Sequence, residues 1–266
     1  MSDSLPLDKK IYKFTKYDKI KLKGDFMSNS KIFRDGNKLI KHYFSDTPYE
    51  YVAENARRQK YLFDAGLPVP DVYGVHKINE NETVLEMVYI ETVPAIDDRT
   101  NIDEWIKNKK AMIKLQCMIK DVDVSDFPKL SDYFAKEIKS TPYLTEQIKE
   151  KAIDLLYRLD TGKTNLCHGD FHPGNVLFDG EKYWVVDWEE PSRGDPAADA
   201  CMTYFYERRF GPPGWSEIYL RMFCEESKIK QKDVLEWLPV IACYQVNIET
   251  KDERDFILGI INECFK

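Results

Sequence analysis

The residue types best suited to chemistry crowd into one stretch, LCHGDFHPGNVLFDGEKYWVVDW, residues 166–188. It reads strand, loop, strand, turn, strand, and its loops hold two histidines, several aspartates and an asparagine, all poor core fillers. Asp170 and Asn175 face each other across a loop containing Pro173 and Gly174. The Asp-Gly pair at 179–180 is a turn signal, so VLF (176–178) and YWVV (183–186) can form a hairpin. That hairpin brings Asp187 back beside Asn175. An amide oxygen and a carboxylate then converge, with the Asp170 carboxylate nearby. Hard oxygen donors, few in number, suit Mg²⁺, which keeps waters and binds substrate phosphates. Asp170 is left over to orient or deprotonate an attacking hydroxyl. This is equipment for phosphoryl transfer, in which positioning and charge neutralisation do most of the catalysis. His168 and His172 also spell HxDxH, a metallohydrolase pattern, but only four histidines exist in the chain and no third cluster completes such a site.

Elements upstream must position this stretch. KIKLKG (19–24) alternates as a strand, DFMSNS (25–30) is a polar turn, KIF (31–33) resumes the strand, and KLIKHYF (38–44) follows the DGN turn at 35–37. Leu39, Lys41 and Tyr43 share a face of that strand. A helix follows, with Thr47 as expected N-cap, Pro48 at the first helical position and Glu50 completing a capping box. Gly66 and LPVP (67–70) end it. DVYGVH (71–76) and TVLEMVYI (83–90) read as two more strands. Beyond residue 90 the pattern turns helical, at 105–120, 146–159, 196–209, 214–227, 231–247 and 252–265. The expected architecture is α+β: a small β-rich lobe over residues 1–90 and a larger, mostly helical lobe over 91–266.

Composition narrows the function. With 266 residues, 43% hydrophobic and 32% charged, the chain has ample material for a core. A net charge of −7 suits nucleic acid poorly. The opening MSDSLPLDKK lacks the apolar core of a signal peptide, and no apolar run approaches a membrane span. The six cysteines are scattered without a CxxC and read as reduced thiols, so a cytoplasmic protein is expected. Oligomeric state is not legible.

HGDFHPGN resembles the HxDxxxxN catalytic loop of the protein-kinase-like fold, and VVDW places its aspartate where protein kinases carry the DFG aspartate. AGLPVPDVYG, HGDFHPGNVLF, the Asp-Trp pair and RGDPAADA (193–200) together are most similar to the aminoglycoside phosphotransferase and choline kinase family, in order and spacing over nearly the whole chain. The resemblance implies a two-lobe kinase-like enzyme transferring the γ-phosphate of ATP, with GTP left open as donor, to a small-molecule hydroxyl in the presence of Mg²⁺. It implies Asp170 as catalytic base or orienting carboxylate, Asn175 and Asp187 as metal ligands, and Lys41 as the phosphate-holding lysine. It further implies a partner for Lys41 on the first helix, Glu54 in preference to Glu50. LEMVYIE (85–91), with Met87 and Tyr89, corresponds to the adenine-binding hinge. The resemblance also implies His168 as the loop-shaping histidine and Asp195 as the aspartate bracing the catalytic loop. There is no GxGxxG, so the phosphate cover falls to DFMSNS with Ser28 or Ser30. No APE segment or long activation loop follows DWE, which argues against a protein kinase.

The acceptor is open between an aminoglycoside-like antibiotic and a metabolite such as choline, ethanolamine or a sugar. A nucleotide-binding protein without catalysis is the rival of another class. Glu189, Glu190, Tyr204 and Glu207 are the leading acceptor-pocket candidates, with Trp215, Tyr244 and Glu249 behind them. Acidic and aromatic side chains suit a cationic acceptor by charge pairing and stacking.

Overall fold

The computed structural model describes residues 30–44, 47–95, 101–247 and 251–265. The expected strand at 19–24, most of the DFMSNS turn with Ser28, and Glu249 lie outside them.

Two hairpins build the first sheet. Strands β1 (Ser30–Asp35) and β2 (Lys38–Tyr43) turn through Gly36, whose φ of 60° favours a residue without Cβ. Strands β3 (Val72–Asn79) and β4 (Glu82–Val88) turn through the polar NENE segment. The order is β1-β2-β4-β3, all antiparallel, with Lys41 opposite Leu85. Helix α1 (Tyr49–Asp64) packs on this sheet, burying Val52 and Ala56 against Tyr43, Leu85 and Met87. Its N-terminus differs from expectation. Pro48 is the cap residue and no side chain closes the first turn, so the Thr47/Glu50 capping box does not form. Proline at the cap fixes the entry by its own φ of −60° instead.

The remainder is helical around two small sheets. Helix α2 (Ile102–Lys120) starts at a capping box made by Asn101 and Glu104. Helix α3 (Leu130–Ser140) was not expected from sequence. It has no side-chain cap at Lys129, yet Leu130, Phe134, Ala135 and Ile138 make a buried stripe. Helix α4 (Glu146–Leu159) is capped by Thr145. The C-terminal helices are α5 (Pro196–Phe210), α6 (Trp215–Ser227), α7 (Gln231–Leu235), α8 (Leu238–Tyr244) and α9 (Lys251–Cys264). The single helix expected over 231–247 is thus two, because Pro239 in the first turn of α8 cannot donate to a continuing helix. The main core lies among α2 to α9.

The remaining strands frame the chemistry. Strand β5 (Val93–Pro94) pairs with β7 (Val176–Phe178), which pairs with β8 (Tyr183–Val185). Strand β6 (Asn165–Cys167) pairs with β9 (Ser192–Gly194), closing the ends of the whole 166–194 segment on each other. Among the described residues, no helix is long and apolar enough to cross a membrane. The cysteines are free thiols, buried at 167, 201 and 243 but exposed at 264.

Candidate active site

The loop from His168 to Asn175 is fastened at every level. Gly169 adopts φ 83°, the left-handed region that favours glycine. Its N–H and that of His168 donate to Asp199 on α5, at 2.8 and 2.6 Å. One turn further along α5, the Thr203 hydroxyl donates to the Phe171 carbonyl at 2.7 Å. His168 Nδ1 accepts from the Asp170 N–H at 3.3 Å, so Nε2 carries the proton and donates to the Val186 carbonyl at 3.0 Å. The imidazole therefore ties the loop to the exit of the β7–β8 hairpin. Gly174 is required by a close approach: a Cβ there would sit 2.8 Å from the His172 ring. The His172 Nδ1 accepts the Gly174 N–H at 3.0 Å.

Asp170 stands at the end of this framework with 42% of its side chain exposed. Oδ1 accepts the Tyr206 hydroxyl at 3.1 Å and Oδ2 lies 3.5 Å from His172 Nε2. Burial by surrounding protein pushes the carboxyl up, but His172 and the Tyr206 hydroxyl outweigh it and hold it below the usual aspartate value.

Asn175 donates through Nδ2 to the Asp170 carbonyl at 3.0 Å, which turns its Oδ1 the other way. The Asn175 carbonyl accepts the Val186 N–H, so the hairpin delivers Asp187 next to it. Asp187 has φ 65°, a conformation that aspartate tolerates better than bulkier residues. Across the cleft, Lys41 on β2 is buried and donates to Asp187 Oδ1 at 2.9 Å and to Glu189 Oε1. Burial pulls its pKa down, but Asp187 and Glu189 outweigh burial and raise it well above the ordinary lysine value. The donor set here is an amide oxygen and cleft-facing carboxylates, and no cage of three His, Cys, Asp or Glu forms among the described residues. That set fits Mg²⁺ carried largely by waters and phosphates, and fits an all-protein cage poorly.

Several sequence-expected residues sit elsewhere. Glu54 does not meet Lys41. Arg57 and Arg58, three and four residues on, capture its carboxylate and hold its pKa at about 2. Glu50 is exposed in the first turn. Helix α1 reaches the site through Tyr51 instead, whose hydroxyl donates to Glu190 Oε1 at 2.9 Å. Burial and the adjoining Glu189 raise the Glu190 pKa, against the Tyr51 bond. Asp195 does not brace the catalytic loop. It caps α5 and pairs with Lys163 at 2.8 Å, and the brace is Asp199, a turn later. Tyr204 and Glu207 are turned into the helical core: Tyr204 against Glu217, Glu207 in a buried pair with Lys109 at 2.5 Å. Tyr206, on the face between, is the α5 side chain that reaches Asp170. Its signal in the sequence was the stripe Asp199, Thr203, Tyr206, Phe210, spaced as one helix face. Trp215 packs on Trp105. Tyr244 is half-buried near Asp170, Glu190 and Glu189, which with burial raise its pKa. The Met87 side chain belongs to the sheet core, while Tyr89 lies under the Arg34 guanidinium. Ser30 begins β1.

A four-stranded antiparallel sheet with one helix, joined to a helical region that carries the loop and hairpin, is the α+β protein-kinase-like fold. It superimposes on a thermostable mutant of the aminoglycoside phosphotransferase APH(4)-Ia in ternary complex with ADP and hygromycin B. That match has a TM-score of 0.62 and 16% identity, covering 89% of this chain and 92% of that one. It also superimposes on the choline kinase LicA from Streptococcus pneumoniae, with a TM-score of 0.61 and 18% identity over 90% of each chain. The chain belongs to the phosphotransferase enzyme family, which it matches over residues 22–236. The mouse (Mus musculus) acyl-CoA dehydrogenase family member 10 is 26% identical over 210 residues, 63% of this chain but 19% of that protein's length.

Proposed function

We propose that the protein transfers the γ-phosphate of ATP to a hydroxyl of a cationic small molecule. The observation that carries this reading is the convergence of the Asp170 carboxylate, the Asn175 amide and the Lys41–Asp187 pair on one cleft. Lys41 moves from the carboxylates onto the nucleotide phosphates. Asn175 and Asp187 would hold Mg²⁺, which would supply neutralisation of phosphate charge. Asp170 orients the acceptor hydroxyl. The acceptor oxygen bonds to the γ-phosphorus as the bond to the departing ADP oxygen breaks, and the hydroxyl proton passes to Asp170. The N–H groups of Val88 and Tyr89 are engaged by the Asp71 and Asn37 carbonyls, so the adenine edge reads backbone beyond them, at Ile90 and Glu91. Backbone reading leaves both ATP and GTP as donors to be compared.

The acceptor side supports a cation. Asp170, Glu189 and Glu190 face it, among the phenols of Tyr51, Tyr206 and Tyr244. An aminoglycoside-like antibiotic fits this chemistry, as does an amino alcohol such as choline or ethanolamine, since each brings a positive charge to these carboxylates; a neutral sugar brings none.

The test is Mg²⁺-dependent ADP release by the purified protein against aminoglycosides, choline, ethanolamine and neutral sugars, with ATP and GTP as donors. One cationic acceptor should stimulate release, and Asp170→Asn should reduce that stimulated rate by at least about 100-fold. Normal turnover in a folded Asp170→Asn protein, or no binding of Mg-nucleotide by the wild type, rejects the reading.

A further inference from the structure

Asp170 already holds a hydroxyl on one oxygen, Oδ1, with an imidazole nearing the other. The Tyr206 phenol donates to Oδ1 at 3.1 Å, and His172 Nε2 approaches Oδ2 at 3.5 Å. A phenol O–H on a carboxylate is chemically the same contact that an acceptor alcohol must make there. Tyr206 is also held as though for that purpose. Its ring packs on His172, at 4.4 Å, and on Phe210, stacked at 5.9 Å, and Phe210 is itself 61% exposed. It shares its helix face with Asp199 and Thr203, which fix the loop bearing Asp170.

We propose that Tyr206 is a positioning residue: its hydroxyl holds the acceptor's place on Asp170 and so keeps Asp170 from directing water at bound nucleotide. This rests on the phosphotransfer reading above. The suppressed reaction is hydrolysis. The water oxygen would bond to the γ-phosphorus, the bond to the β–γ bridging oxygen would break, and the water proton would pass to Asp170, giving ADP and inorganic phosphate. Burial and the adjacent Asp170 push the Tyr206 phenol well above its ordinary value, so it stays a neutral donor. An arriving acceptor replaces it, and the phenol turns aside along the exposed Phe210 ring.

No acceptor is needed for the test. Phosphate release from Mg-ATP alone is measured for wild type, Tyr206→Phe, Tyr206→Leu, Asp170→Asn and the Tyr206→Phe/Asp170→Asn double variant, with nucleotide affinity and melting followed in parallel. Tyr206→Phe keeps the ring stack and removes only the hydroxyl. Hydrolysis should rise about tenfold or more in both Tyr206 variants, a part of the roughly 10²–10⁴-fold that a positioned base contributes. The rise should vanish in the double variant while nucleotide affinity holds. A rate at or below wild type in the Tyr206 variants overturns the proposal, as does a rise that survives Asp170→Asn. If wild type binds Mg-ATP and only these rates disagree, the inference alone falls; if it binds none, the phosphotransfer reading falls and takes the inference with it.

Discussion

Lys41 and Asp187, 146 residues apart in sequence, meet at 2.9 Å across the cleft between the first sheet and the β7–β8 hairpin. The lysine is buried and its two carboxylate partners are not: Asp187 and Glu189 have 39% and 41% of their side chains exposed. A buried cation held by carboxylates that water also reaches is poised to exchange them for a phosphate. Lys41→Met keeps the buried stem and removes the charge. It should weaken ATP binding about 10- to 100-fold, the equivalent of a charge-assisted hydrogen bond of ~1.5–3 kcal/mol. Stability should change by less than about 1 kcal/mol, since the carboxylates left behind, 39% and 41% exposed, are taken up by water and the apolar stem fills the buried lysine's place. Nucleotide titration and thermal melting check both; unchanged ATP affinity would mean that Lys41 does not reach the phosphates.

Asp199, not Asp195, accepts the His168 and Gly169 amides, and the two aspartates can be told apart by experiment. Asp199→Asn loses one acceptor lone-pair set to an NH₂ that cannot receive an N–H. It should cost about 1–3 kcal/mol by leaving a buried donor unpaired, and amide exchange at His168 and Gly169 should speed up. Asp195→Ala should cost about 1 kcal/mol as a lost helix cap and leave turnover near wild type. Equal loss of turnover in both variants would contradict this division.

The same helix shows where the sequence stopped being legible. Helix α4 could be read within a residue, because Thr145 caps it and its apolar stripe faces one way. The hairpin of β7 and β8 was legible from Asp179-Gly180, and it delivers Asp187 beside Asn175 through the Val186–Asn175 bond. Helix α5 is buried on nearly every side, so periodicity names no inward face. Tyr204 and Glu207 stood out in the sequence where Tyr206 did not, and the resemblance pointed to Asp195 where the brace is Asp199. Choosing among them needs the angle at which α5 crosses the catalytic loop, which is set by long-range packing. Glu54 failed for the opposite reason: its nearest arginines are local, and three-residue spacing on a helix captures it before any strand lysine can.

The acidic limb of activity should depend on His172. Burial raises the Asp170 carboxyl, and His172 is the largest influence opposing it. The carboxylate is the working form, so a lowered pKa keeps the enzyme active as pH falls. The stability from this depressed carboxyl is present above its unfolded pKa and lost as pH falls through the folded one. In His172→Ala, the limb should move up in pH, so that activity is lost earlier on acidification. His172→Gln, which retains an N–H donor, should move it less. A pH profile of turnover at saturating nucleotide reads this; identical acidic limbs in wild type and His172→Ala would remove His172 from the account.

Lys109 and Glu207 form a different kind of pair. Both are buried, 2.5 Å apart, with the ammonium also over the rings of Trp105 and Tyr219. Burial lowers the Lys109 pKa, with Glu207 opposing the loss of the proton. The pair links α2 to α5 beneath the face that carries Tyr206. Because two charges are removed from water together, the cost of breaking the pair exceeds its net contribution. Lys109→Met alone should destabilise by about 3–5 kcal/mol, leaving Glu207 buried and unpaired. Lys109→Met/Glu207→Leu should recover most of that loss, since an apolar pair of similar volume needs no charge compensation. Denaturant unfolding of the two single variants and the double one gives the cycle. A double variant as unstable as the sum of its parts would show that the pair contributes to packing that apolar side chains cannot replace.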